Sequence, residues 1–213
     1  MTEPYVRRLF DQYAGRYDAA LTEHLCYRGP ALLLDAVKSA LERLGRPVRF
    51  DSLLDLGCGT GLAGQVFRPF AARLAGVDLS PAMIARAEAR GDYDRLVVGN
   101  LAAFLADEIA RNAKYDLVLA ADVFVYVNEL APVFADIAGV LAPHGAVAFT
   151  VETHSGAGVA LLPTLRFAHA ERYLRDTLAA AGLNLLVLES AAIRTEKGTP
   201  VPGFVIVAIS ARA

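Results

Sequence analysis

Cysteine and lysine are scarce in this 213-residue chain, excess charge of either sign is missing, and so are long apolar runs. Its two cysteines, Cys26 and Cys58, cannot build a disulfide framework. Neither sits in a C-x-x-C pair or in a Cys/His cluster with zinc spacing, so no metal is expected and a reducing cytoplasm is the expected compartment. No stretch reaches the roughly 18 consecutive apolar residues of a membrane span. The opening residues, Met1 to Phe10, contain no signal-peptide core, and secreted or membrane-integral readings are set aside. Twenty-one basic and 23 acidic side chains leave a formal charge of -2, with a pI near 6.1. That balance gives no bulk attraction to nucleic acid or to an anionic membrane. Lysine is limited to Lys38, Lys114 and Lys197, and the arginine and alanine that replace it reflect genomic base composition. Repeats, low-complexity tracts and long linkers are also absent.

The chain does have enough apolar surface for a core. Hydrophobic residues make up 55% of it, and its length suits one domain rather than two of enzyme size. Short apolar runs at Ser52–Leu56, Arg73–Val77, Arg95–Val98, Tyr115–Ala121 and Ala146–Glu152 read as strands. Helix-period stretches lie between them at about 62–71, 81–90, 101–113 and 129–141. Strand, helix and strand joined by short connections require parallel strands with right-handed crossovers, hence a three-layer, doubly wound α/β sheet. Two helices precede it, at 4–28 and 30–44; the first carries a stripe of Phe10, Tyr13, Tyr17 and Leu21. After a helix at 169–181, Asn184–Leu188 and Phe204–Ile209 are joined by the polar segment Arg194–Pro202. With no helix between them they must form an antiparallel hairpin at one sheet edge.

The strongest chemical signal is Leu53-Leu54-Asp55-Leu56-Gly57-Cys58-Gly59-Thr60-Gly61, a buried strand entering a glycine-rich turn and then a helix. Such a turn at the carboxyl end of a strand lets a ligand approach the backbone. Gly59 to Gly64 also satisfies G-x-G-x-x-G, the dinucleotide pattern. A carboxylate two residues before the first glycine opposes a pyrophosphate there and favours a cationic ligand. Asp78 closes the second strand, where a carboxylate accepts the two hydroxyls of a ribose. It also precedes the helix starting at Pro81, whose N-cap either Asp78 or Ser80 could supply. Asp55 and Asp78 together describe a nucleoside bearing a cationic, amino-acid-like extension.

These residues resemble the class I S-adenosylmethionine-dependent methyltransferases, whose glycine motif reads E/D-x-G-x-G-x-G. The likeness continues through Val77-Asp78-Leu79-Ser80-Pro81-Ala82-Met83, through Gly99-Asn100-Leu101, where the family usually has an aspartate, and through Asp116 to Phe124. It implies a Rossmann-like seven-stranded sheet, mostly parallel with an antiparallel C-terminal strand, and S-adenosyl-L-methionine as cofactor, leaving S-adenosyl-L-homocysteine. It also implies a cofactor set of Asp55, Gly57, Gly59, Gly61, Asp78, Leu79, Met83, Asn100, Leu101, Asp122, Tyr17 and Arg28. Phe10-Asp11-Gln12-Tyr13-Ala14-Gly15-Arg16-Tyr17-Asp18 resembles the segment by which many small-molecule members close a lid. Residues 1–50 are therefore expected to form a helical lid or substrate cap, and 51–213 the core, of a single domain. More narrowly, Leu25 to Pro30, Tyr126 to Leu130 and Arg166 to His169 look like predicted methyltransferases often fused to tetratricopeptide repeats.

Acceptor-side residues cluster after strands four and five. Tyr126, Glu152 and Arg166, with Tyr13 from the lid, are expected to bind substrate. His154 and His169 are the residues available as a general base, although His169 also stands where a helix starts. Methyl transfer from a sulfonium needs near-attack positioning and exclusion of water, and neither metal nor covalent intermediate. An N-P-P-Y-like signature is missing after strand four, where Ala121-Asp122-Val123-Phe124 stands, which disfavours adenine or glutamine side chains as acceptors. The expected partner is a small-molecule acceptor, with no nucleic acid and no membrane, and the protein a monomer or homodimer. Two other readings stay open: an NAD(P)-dependent oxidoreductase on a Rossmann sheet, and a non-catalytic S-adenosylmethionine-binding protein.

Overall fold

The computed structural model describes residues 3–16, 27–196 and 198–212. Five strands lie parallel in the order β3-β2-β1-β4-β5: β1 (Phe50–Leu56), β2 (Ala71–Asp78), β3 (Arg95–Val98), β4 (Tyr115–Ala120) and β5 (Leu141–Glu152). The hairpin expected at the end of the chain is present. β9 (Thr199–Ser210) runs antiparallel to β5, from Ala146↔Ile209 to Glu152↔Gly203, and β8 (Leu183–Glu196) pairs antiparallel with β9. Two three-residue strands, β6 (Val159–Leu161) and β7 (Phe167–His169), pair with each other, and β7 joins β5 through Glu152↔Ala168. They bring the sheet to nine strands rather than seven.

Period-two alternation divides the core between the two faces of the sheet. Leu53, Leu117, Leu119, Val205 and Val207 pack with α2 (Gly29–Arg43) and α3 (Leu62–Phe67). Leu54, Leu56, Val118, Val147, Phe149 and Ile206 face the other way. There they meet α5 (Leu101–Ala110), α6 (Ala131–Val140) and α7 (Glu171–Ala180). Phe124, Phe134 and Phe149 form an aromatic cluster on that face, with centroids 5.2–5.7 Å apart. α4 (Pro81–Arg90) packs beside β2 and β3, and α1 (Glu3–Tyr13) against α4.

Two boundaries differ from expectation. The first helix stops at Tyr13 instead of running to 28; Ala14–Arg16 tighten into a 3-10 turn at Gly15, and Tyr27 and Arg28 are non-helical. Tyr17 and Leu21 lie outside the described residues. β8 runs on through Glu196, taking up residues read as a polar turn, because pairing with β9 satisfies its backbone groups irrespective of side-chain polarity. A register shift between Ala192 and Thr195 turns both Ile193 and Arg194 into the interior.

The parallel strands put Gly57, Asp78, Asp122 and Glu152 at the same edge of the sheet. Strand order reverses between β1 and β4, the place where open α/β sheets form a ligand crevice. At the far side, Gly203 permits the close approach of β9 to β5: a Cβ there would lie 2.5 Å from the Val151 carbonyl oxygen. Gly203→Ala should therefore lower stability by about 1–3 kcal/mol, read from chemical denaturation.

Candidate functional site

The glycine turn depends on backbone angles that only glycine adopts readily. Gly57, Gly59 and Gly61 have φ of 65°, 54° and 92°, and a Cβ on Gly57 would meet Val123 at 2.6 Å. The Cys58 N–H donates to the Val77 carbonyl at 3.0 Å and the Gly61 N–H to the Cys58 carbonyl at 2.9 Å, tying the turn to β2 and to itself. Burial pushes the Cys58 thiol up, which keeps it protonated and unsuited to nucleophilic attack.

Asp55 lies one residue inside the end of β1, with 1% of its surface exposed. The Tyr93 hydroxyl donates to its Oδ2 at 2.6 Å, while Oδ1 has no partner among the described residues. Burial raises its pKa to about 7, against the Tyr93 hydrogen bond, with the nearby Asp78 adding to the rise. Gly64, third glycine of the apparent dinucleotide pattern, makes room for Tyr93: its N–H donates to the Tyr93 hydroxyl at 3.1 Å, and a Cβ there would lie 2.3 Å from that ring. Nothing in the local sequence around Tyr93 announces this role, which depends on a contact 38 residues away.

Asp78 closes β2 with both carboxylate oxygens occupied by backbone donors, Oδ2 by the Gly59 N–H at 2.9 Å and Oδ1 by the Ser80 N–H at 2.8 Å. Burial raises its pKa despite these bonds. The N-cap of α4 is Ser80, whose Oγ accepts from the Met83 N–H, so Asp78 is left to face the ligand crevice. Asn100 is itself an N-cap. Its Oδ1 accepts from the Ala102 and Ala103 N–H groups of α5, and its Nδ2 donates to Glu3 at 2.7 Å.

A cavity of about 380 Å³ opens here, a size that suits a cofactor-sized ligand. Gly57, Gly59 and Asp78 line one wall; Leu79, Met83, Asn100 and Leu101 another; Asp122, Tyr126 and Val127 the far end. Helix α1 covers it with Glu3, Val6 and Phe10. Three contacts hold that cover: Glu3 to Asn100, the Ser80 hydroxyl donating to Asp11 at 2.5 Å, and Phe10 edge-on to Tyr126 at 5.3 Å. Asp55 borders a smaller recess with Tyr27, Pro30 and the same glycines. A ligand supplying a cationic donor to Asp55 Oδ1 and hydroxyls to Asp78 fits this donor set, and a pyrophosphate beside Asp55 does not.

Residues 54–149 match the family model described as a methyltransferase domain. The chain is 40% identical over 88 residues to methyltransferase-like protein 27 of Homo sapiens, covering 41% of this chain and 34% of that protein. It is 30% identical over 93 residues to the ubiquinone biosynthesis O-methyltransferase of Rhodopseudomonas palustris, covering 44% and 36%. The matched segment thus spans about a third of the length of these curated relatives. Among solved structures, magnesium protoporphyrin IX methyltransferase from Synechocystis PCC 6803, with SAH bound, superposes with a TM-score of 0.72 at 17% identity. That match covers 98% of this chain and 100% of the other, and is a likeness of fold. The chain has the Rossmann-like methyltransferase fold.

At the far end of the cavity, Asp122 follows β4 with φ of 60°, a left-handed conformation uncommon outside glycine. Its N–H donates to Thr150 Oγ1 at 2.8 Å, and its Oδ1 accepts from Arg194 at 2.7 Å. Arg194 is 1% exposed and also donates to Glu152 and to Glu196, the latter at 3.1 Å. Arg166 donates to Glu196 at 2.5 Å and lies over the Tyr126 ring, 5.9 Å from its centroid. Burial raises the Asp122 pKa, with Arg194 opposing; Arg194 itself is held above the ordinary arginine range by the carboxylates around it, against the effect of burial. In the sequence Arg194 is inconspicuous, because it stands in a polar segment. The signal that could have found it is a lone arginine following Ile193 in an otherwise strand-compatible run.

Of the expected acceptor residues, Tyr126 lines the cavity, whereas Glu152 and Arg166 lie behind it in the ion network. Tyr13, half-buried at the end of α1, is not among the lining residues, and Tyr17 is outside the described residues. Arg28 stands exposed at the start of α2, where Tyr27 takes the place beside the glycine turn. His154 Nδ1 accepts from the Gly156 N–H and Nε2 faces the Gly158 carbonyl at 3.3 Å, so its ring fastens its own loop. His169 is fully buried; Nε2 faces the Val127 carbonyl at 3.1 Å, the ring stacks on Tyr173, and burial lowers its pKa to about 4. Neither histidine lines the cavity, and the expectation of a base there finds no support in this arrangement.

Replacing Arg194 by methionine should cost about 3–5 kcal/mol in chemical denaturation, because the carboxylates it holds would be left buried and unpaired. Asp55 gives a pH signature. Its pKa in the fold lies above the ordinary 3.8, so between about pH 4 and about pH 7 the folded chain keeps a proton that the unfolded chain has lost. The ligand-free protein should lose stability as pH rises through that window, and Asp55→Asn should flatten the thermal-unfolding profile there.

Proposed function

We propose that the protein binds S-adenosyl-L-methionine and transfers its methyl group to a small-molecule acceptor, releasing S-adenosyl-L-homocysteine. The observation that carries this reading is the unpartnered Oδ1 of buried Asp55, one strand away from Asp78 at the ligand edge of the sheet. When bound, the cofactor supplies a methyl on cationic sulfur, already activated for displacement. Asp55 receives the ammonium of the amino-acid end and Asp78 the ribose hydroxyls, while Leu79, Met83 and Leu101 offer apolar surface to the base. Asn100 holds the start of α5 against that surface. Glu3, Phe10 and Asp11 keep α1 over the cavity, excluding water and leaving the end near Tyr126 and Asp122 for the acceptor.

The names of two similar proteins, a magnesium protoporphyrin IX methyltransferase and a ubiquinone biosynthesis O-methyltransferase, support a small acceptor. The narrower likeness to predicted methyltransferases often fused to tetratricopeptide repeats belongs to this proposal and names no substrate. Calorimetry should detect S-adenosylhomocysteine binding, and Asp78→Ala should weaken it by about tenfold or more through loss of the ribose contacts. Wild-type affinity should rise from about pH 5 to about pH 7 as Asp55 ionises, by up to about tenfold per unit. An unchanged affinity in Asp78→Ala would remove the proposed site.

A further inference from the structure

The walls of the large cavity carry three carboxylates, Glu3, Asp78 and Asp122, and no cationic side chain among the described residues. Two of the three are committed. Glu3 accepts from Asn100, and Asp78 accepts one backbone N–H on each oxygen. Asp122 is different. Nine-tenths of its side chain is buried, Arg194 holds Oδ1, and no described residue donates to Oδ2. The network behind it contains Asp122, Glu152 and Glu196 against Arg166 and Arg194, three carboxylates to two guanidinium groups. One negative charge is therefore left over; Glu196 reaches solvent at 31% exposure, but Asp122, Glu152 and Arg194 are at most 10% exposed, and an uncompensated charge at Asp122 is costly.

The cavity that Asp122 lines is otherwise largely apolar or aromatic, with Phe10, Val123, Tyr126, Val127 and Val133 in its walls and the amide of Asn128 also present. An anionic acceptor would meet carboxylates without a counter-ion. A neutral one would leave the excess charge in place, while a cation bearing a hydrogen removes it and occupies Oδ2. We propose that Asp122 Oδ2 is the counter-ion for a basic amine, so that the acceptor is a small, largely apolar molecule carrying one ammonium group. Arg194 acts as the positioning residue, fixing the carboxylate through Oδ1 while the Thr150 hydroxyl holds the backbone. Transfer to that nitrogen uses the free amine: one ammonium proton passes to Asp122 Oδ2, the nitrogen lone pair forms the N–C bond as the methyl–sulfur bond breaks, and S-adenosylhomocysteine leaves with neutral sulfur. The identity of the amine as acceptor rests on the methyl-transfer reading; the amine site itself follows from the charge balance.

The test titrates 2-phenylethylamine, 2-phenylethanol and phenylacetate into the full chain by calorimetry, with and without S-adenosylhomocysteine, for the wild type and Asp122→Asn. Asparagine tolerates the positive φ at this position and keeps an oxygen for Arg194. The wild type should bind the amine at least about tenfold more tightly than either analogue, and the variant should lose that preference. Absence of amine binding, equal binding of the three probes, or a preference that survives in the variant overturns the proposal. Competition between amine and S-adenosylhomocysteine also overturns it, since it places the amine in the cofactor's position. The wild-type comparison decides the question alone if the variant does not fold. Failure of S-adenosylhomocysteine to bind would sink the methyl-transfer reading, while the amine titrations would still decide the role of Asp122.

Discussion

Asp55 is a carboxylate buried at the end of a central strand with one hydrogen bond and one empty oxygen. Desolvation makes such a group expensive to ionise, and much of the surrounding architecture accommodates it. Tyr93 can reach it only because Gly64 and Gly76 have no side chains: a Cβ on either would lie within 2.8 Å of the tyrosine ring. The left-handed glycines after β1 then carry the chain away from the strand without placing a side chain over the carboxylate. In the proposed function, Oδ1 is the atom that receives a ligand bringing its own positive charge.

The second constraint is electrostatic as well, at the opposite end of the crevice. Arg194 comes from the long hairpin strand β8 and binds carboxylates from the β4 turn, the end of β5 and its own strand. It therefore couples the antiparallel edge of the sheet to the ligand edge of the parallel part. Because the guanidinium cannot give up its proton, Arg194 remains a donor to Asp122 at any physiological pH. Asp122 in turn occupies a strained backbone conformation that Thr150 and Arg194 hold in place.

Much of this was legible beforehand. Asp55, the three glycines of the turn and Asp78 lie within one strand-turn-helix-strand unit, and Met83 in the helix that follows, where local periodicity and glycine spacing carry the information. The reversed last strand was also readable, since Asn184–Leu188 and Phe204–Ile209 have no helix between them. The structure moved other residues. Asn100 turned out to cap α5 and hold Glu3, and the two histidines fasten a loop and a carbonyl. β6 and β7 are too short to give a periodic signal, and Arg194 looked like part of a turn.

The sequence by itself determined the parallel sheet, its antiparallel edge and the glycine turn flanked by carboxylates, because each follows from contacts between neighbours in the chain or from residue types restricted to particular backbone angles. Only the tertiary structure decided which oxygens stay empty, that Tyr93 supports Asp55, and that Arg194 lies beneath Asp122. Those facts join residues 38 and 72 positions apart. Whether a buried polar atom is satisfied depends on every element that packs around it, and no local pattern records that.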